Sequence, residues 1–246
     1  MEQFDIVAET GIAALLFASM FLFGGRIHPF RPLLRDDGIG LSFGAGMSIA
    51  YVFVHVMPEL HAVRESFAEG MGSPLPFRGM VVYYLALVGF LLFFFMDRLR
   101  ERMERADGET GAAHAFRLDV GGFAAYVGLM GYVLVRNLGE THTFTVFFAA
   151  TIAIHFLALD HALAAKHGSA YRRIGRFVLA GMAILGWGLG LALPMPESVI
   201  ALVVAFISGA VVMNATIMEI HSEKGGHLLP FAAGGLIYGL ILLPLG

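Results

Sequence analysis

Apolar residues in this chain cluster into long runs, with neither the 3.6-residue stripe of a surface helix nor the alternation of a half-buried strand. Eight runs stand out: 6–25, 39–58, 79–96, 120–135, 144–165, 177–193, 198–218 and 228–245. Each approaches the roughly 20 residues that a helix needs to cross a hydrocarbon layer about 30 Å thick. The connectors hold nearly all the prolines and charges. The pattern predicts an all-α, polytopic membrane bundle of eight transmembrane helices in a single domain, 1–246. The longest connector, 97–119, reads as a loop, and its first part, Asp97-Arg98-Leu99-Arg100-Glu101-Arg102-Met103-Glu104-Arg105, continues the third helix into water.

Eight crossings sort the basic residues onto two sides. One set of connectors carries only Arg64, Arg78 and Arg136 of the 16 lysines and arginines; the other set carries the rest. Basic residues favour the cytoplasmic side. The expected orientation therefore has both termini extracytoplasmic and loop 97–119 in the cytoplasm, in a cell (inner) membrane. The acidic residues Glu2 and Asp5 before the first run are the wrong flank for a signal peptide.

Composition sharpens this picture. The chain is 58% apolar and 14% charged, with a mean hydropathy of +0.76. A soluble domain is nearer 25% charged, so lipid is the expected solvent and the bilayer the main partner. No basic patch interleaved with aromatics points to nucleic acid. With no cysteine, thiolate metal sites are excluded, leaving His, carboxylate, Asn and Met as metal ligands. Small residues recur four apart at Gly40/Gly44, Gly186/Gly190 and Gly235/Gly239. That spacing lets helix backbones approach closely, within one bundle or across a homodimer.

Ionisable residues at membrane depth are costly and so mark functional sites. The fifth run contains His155, Asp160 and His161. His155 and Asp160 are five positions apart, and Asp160 and His161 diverge by about 100°, so a site here needs ligands from neighbouring helices. The second run ends His55-Val56-Met57-Pro58-Glu59, with His55 and Glu59 on one face, and the seventh carries Asn214 and Glu219. Candidate metal or proton-path residues are thus His155, Asp160, His161, His55, Glu59, Asn214 and Glu219. No organic cofactor is expected.

Runs two and seven also read alike: Phe43-Gly44-Ala45-Gly46-Met47 leads to His55, and Ser208-Gly209-Ala210-Val211-Val212 leads to Glu219, with a one-residue slip. Five runs apart, they cross in opposite directions, the pattern of an inverted repeat relating runs 1–3 to 6–8. Residues 42–60, with a glycine-alanine-glycine start and His-x-x-Pro-Glu ending, resemble the second helix of the ZIP family of divalent-metal transporters. The resemblance implies a 3+2+3 bundle that moves zinc, iron or manganese as its substrate. The fourth run departs from the family: Ala125-Tyr126-Val127-Gly128-Leu129-Met130-Gly131-Tyr132 holds none of the expected metal ligands, and of the fifth-helix motif only His155 carries over. Two other readings follow. One is a ZIP-fold protein without metal transport, carrying another solute, coupled to protons or acting as a sensor. The other is an intramembrane metal-dependent hydrolase, disfavoured because His155, His161 and His167, six apart, disperse around a helix. A transporter, not an enzyme, is the expected class.

Overall fold

A computed structural model describes residues 2–26, 39–58, 61, 80–106, 108–136, 142–220 and 227–243. The described residues are helical except 193–196 and 227, with eight α-helices: α1 Glu2–Phe23, α2 Ile39–Tyr51, α3 Met80–Ala106, α4 Gly108–Arg136, α5 His142–Ala170, α6 Arg176–Ala192, α7 Glu197–Ile220 and α8 Leu228–Leu242. Each coincides with one apolar run. A 3-10 turn, Gly24–Arg26, ends α1, and π-helical turns follow α2 (Val52–Val56) and α5 (Tyr171–Gly175).

Four segments are long and apolar enough to cross a membrane: Met80–Arg105, Thr110–Val135, Ala149–Ala192 and Ser198–Ile217. Val7–Phe23, Ser42–His55 and Leu228–Leu242 are shorter apolar helices. Ala149–Ala192 is 44 residues long, about 66 Å at 1.5 Å per residue, more than twice the thickness of a hydrocarbon layer. It breaks at Gly168, whose φ of 53° and ψ of −119° interrupt the helix. The protein is thus a helical membrane protein by length and composition.

The segment expected as a loop, 97–119, is instead almost wholly helical. α3 runs on to Ala106, and α4 begins at Gly108 with a φ of 54°. Pairs three and four residues apart support the extension: Arg98 with Glu101 (3.2 Å), Arg100 with Glu104 (2.7 Å) and Arg105 with Glu101 (3.4 Å).

The chain divides into two compact units. Unit 1 comprises Met1–Ile27 and Phe94–Pro194, hence α1, the second half of α3, α4, α5 and α6. Unit 2 comprises His28–Phe93 and Met195–Gly246, hence α2, the first half of α3, α7 and α8.

In unit 1, α4 and α6 cross on glycine. A Cβ on Gly186 would overlap the carbonyl oxygen of Gly128, and one on Gly131 would overlap that of Ala183. Gly190 lies against Tyr132 four residues further along each helix, so both helices run the same way. The chain between them, α5, must therefore return across the unit. Without a hydrophobic force between helices in lipid, this backbone proximity supplies the packing. Two polar tethers accompany it: Trp187 Nε1–H donates to Thr10 Oγ1 (3.0 Å), and the Tyr132 hydroxyl donates to the Leu193 carbonyl (2.6 Å).

Unit 2 repeats the device twice. Gly46 and Gly234 of α2 and α8 each meet the carbonyl three residues before the partner glycine, Phe231 and Phe43. Gly209 and Gly89 of α7 and α3 do likewise, against Ala86 and Phe206. Gly235 and Gly239 also face α2, so these small-residue rows, with Gly186/Gly190, pack helices within the chain.

Candidate functional site

α5 carries the candidate residues of unit 1. His155 is 1% exposed, enclosed by Phe156 of its own helix and Tyr126 of α4. Phe156 packs in turn against Phe17 and Phe21 of α1. The Tyr126 hydroxyl lies 3.0 Å from His155 Nε2 and donates to it whenever that nitrogen carries no proton. α4, the helix without the expected metal ligands, thus supplies the partner of the deepest histidine.

Asp160, 4% exposed, accepts a 2.7 Å hydrogen bond at Oδ1 from the Tyr171 hydroxyl. Tyr171 opens the π-helical turn beyond the Gly168 break. Oδ2 lies beneath Gly24, where an added Cβ would come within 2.7 Å of it. His161, adjacent in sequence, turns elsewhere: its Nδ1–H donates to the Leu157 carbonyl at 2.9 Å. His155, Asp160 and His161 therefore occupy one helix with three separate sets of partners.

The remaining candidates belong to unit 2. His55 sits half-buried in the π-helical turn after α2 and stacks on Tyr51, with ring centroids 5.4 Å apart. Asn214 of α7 is 3% exposed, and its Nδ2 has no hydrogen-bond partner among the described residues. Glu59 and the Glu219 side chain lie outside the described residues. Among the described residues, no group of three or more His, Asp or Glu side chains is placed to hold a metal ion.

A second polar cluster in unit 1 escaped the sequence. Asp97, Arg100, Asp119 and Lys166 form a square of alternating charge drawn from α3, α4 and α5. Asp97 Oδ1 meets Arg100 Nη2 at 2.9 Å and Lys166 Nζ at 3.7 Å. Asp119 Oδ2 meets Lys166 Nζ at 3.2 Å and Arg100 Nε at 3.7 Å. His167 Nε2–H donates to that same Asp119 oxygen at 2.9 Å. Asp97, Arg100 and Asp119 are all buried. Neither Tyr126 nor Tyr171 was singled out by the sequence. The one available signal was that a phenol buried in a bundle needs a partner for its hydroxyl.

No family model matches the chain, and neither the curated proteins nor the solved structures contain a significant match to it.

Proposed function

We propose that the chain is a ZIP-like membrane transporter relative in which the deep polar groups of α5 carry a proton. The observation that supports this is the pairing of both groups with phenols: Tyr126 with His155 and Tyr171 with Asp160. A phenol exchanges hydrogen-bond roles with imidazole or carboxylate as a proton arrives and leaves. A divalent ion at either group would need further ligands, and among the described residues no three His, Asp or Glu side chains are placed to hold one.

The ZIP-like architecture draws support from unit 2. An inverted repeat of helices 1–3 and 6–8 equates α2 with α7 and α3 with α8. The glycine crossings follow that rule position by position: Gly46 corresponds to Gly209, Gly234 to Gly89, and the contacted Phe43 to Phe206. This register differs by two residues from the sequence match, which pairs Phe43 with Ser208. On this reading all eight helices cross a cytoplasmic membrane, with both termini outside.

The test is reconstitution into liposomes carrying an internal pH indicator. An imposed gradient should drive proton entry, and His155→Ala or Asp160→Asn should abolish it. Absence of wild-type proton flux would remove the reading. Divalent-cation transport is the second reading, favoured by the 42–60 motif, whose His-x-x-Pro-Glu ending starts at His55, and by that residue's half-buried place in a π-helical turn, a geometry frequent at functional sites. It predicts zinc, iron or manganese flux that is lost in His155→Ala.

A further inference from the structure

The turn that joins α5 to α6 gathers positive charge with no acid of its own. Between Asp160 and Glu197 the sequence holds no carboxylate, and Arg172, Arg173 and Arg176 fall within five residues. Arg172 and Arg173 belong to the π-helical turn Tyr171–Gly175, and both are exposed; Arg176 opens α6 and is half-buried. The end of α3 is basic too, but there Arg98 and Arg105 pair with Glu101, and Arg100 with Asp97 and Glu104. Among the described residues, neither Arg172 nor Arg173 pairs with a carboxylate. Arg176 shares the field of Asp160, yet its Nε, closed off from solvent, has no hydrogen-bond partner among them.

The apolar run 177–193 begins at the next residue, so these guanidiniums stand where hydrocarbon gives way to headgroups. The Arg176 guanidinium lies 4.6 Å from the centre of the Phe177 ring, which is itself exposed. Phe177, Gly181 and Leu185 follow one another at four-residue spacing along one exposed face of α6. Among the described residues, no heavy atom from beyond its own stretch of chain lies within 4 Å of where a Gly181 Cβ would be. The glycine thus leaves a notch between two large apolar side chains, one turn inside the hydrocarbon layer. Guanidinium forks match phosphate oxygens, and an apolar notch fits an acyl chain.

We propose that Arg172, Arg173 and Arg176 bind the phosphate of an anionic phospholipid, one of whose acyl chains lies in the Gly181 notch of α6. A zwitterionic lipid offers the same phosphate, but its ammonium group meets three like charges. A free phosphate ion satisfies the guanidiniums and leaves the notch unfilled. The site lies within unit 1 and is independent of what the deep groups of α5 transport.

The test is native mass spectrometry of the full chain in detergent, titrated with phosphatidylglycerol or with phosphatidylcholine of equal chain length. Phosphatidylglycerol should bind about tenfold more tightly or better. Arg172→Gln combined with Arg173→Gln should erase that preference, and Gly181→Leu should weaken phosphatidylglycerol binding several-fold. Arg105→Gln, at a paired arginine, should leave it unchanged. Equal affinity for the two lipids overturns the proposal, as does a double variant that keeps the preference or an Arg105→Gln variant that loses as much. Wild-type binding in Gly181→Leu overturns the acyl-chain placement. Excess glycerol phosphate, a headgroup without chains, should leave the bound lipid in place; displacement assigns the guanidiniums to free phosphate and overturns the lipid assignment. Should the double variant fail to fold, Arg172→Lys with Arg173→Lys replaces it. That variant keeps the charge but loses the fork, so binding should fall several-fold, and unchanged binding overturns the proposal.

Discussion

Unit 1 buries two carboxylates in different ways. Asp119 receives His167, Lys166 and Arg100 on a single oxygen, all within 3.7 Å. Asp160, equally buried, accepts a hydrogen bond from one phenol, with His161 and Arg176 as charged groups nearby. Removing charge from water is expensive, and a buried carboxylate is tolerated where cations and hydrogen bonds replace its hydration. Asp119 is compensated as a fixed anion that joins three helices. Asp160 has a partner that tolerates either protonation state, which suits a group that binds and releases a proton. Two residues of one chemistry thus divide into a structural anchor and a candidate working group.

The sharpest way to break this contrast is to delete the anchor. Asp119→Ala leaves Arg100, and in part Lys166, facing a vacated site; the loss should be about 3–5 kcal/mol of stability, read from thermal unfolding in detergent. A cost no larger than that of Asp160→Ala would erase the distinction. Tyr171→Phe deprives Asp160 of its hydrogen bond while preserving shape, and should cost about 1–3 kcal/mol by the same measurement. Asp160→Asn keeps an acceptor for the Tyr171 hydroxyl. It should change stability by about 1 kcal/mol or less while abolishing proton entry into liposomes, which separates work from architecture. Smallest of all, Arg105→Ala removes an ion pair whose arginine side chain is 79% exposed; stability should stay within about 0.5 kcal/mol of wild type.

The helices were legible because their signal is local. Each apolar run, from 6–25 to 228–245, became one helix, and a bilayer-length stretch of Leu, Val, Phe and Ala has few alternatives. The extension of α3 was half legible: the pairs at Arg98, Arg100 and Arg105 lie within one turn, but nothing near them revealed that α4 would resume at Gly108. Asp97, Arg100 and Asp119 looked like residues of a wet loop, because burial is decided by partners distant in sequence: His167 stands 48 residues from Asp119. Of the candidate residues, His155 and Asp160 were found from depth alone. Their partners were not, since Tyr126 stood in plain view on a helix inspected for metal ligands, where a phenol does not count. The divergence of His161 from Asp160 was legible from their adjacency on a helix; that its Nδ1–H donates to its own backbone was not.

Gly168 separates the two carboxylate systems along the chain, with His167 before it and Tyr171 after it. Among the described residues, no heavy atom beyond its own stretch of chain lies within 4 Å of where its Cβ would be, so room does not demand glycine there. Chirality does. A φ of 53° with a ψ of −119° is the mirror image of an ordinary extended residue, disfavoured for any L-amino acid and relaxed for a D-amino acid. D-alanine introduced by chemical ligation should therefore be accepted at 168, where L-alanine should be penalised by about 1 kcal/mol or more. The position is an achiral joint in a chain of fixed hand, and it sets the direction in which the two acids' partners diverge.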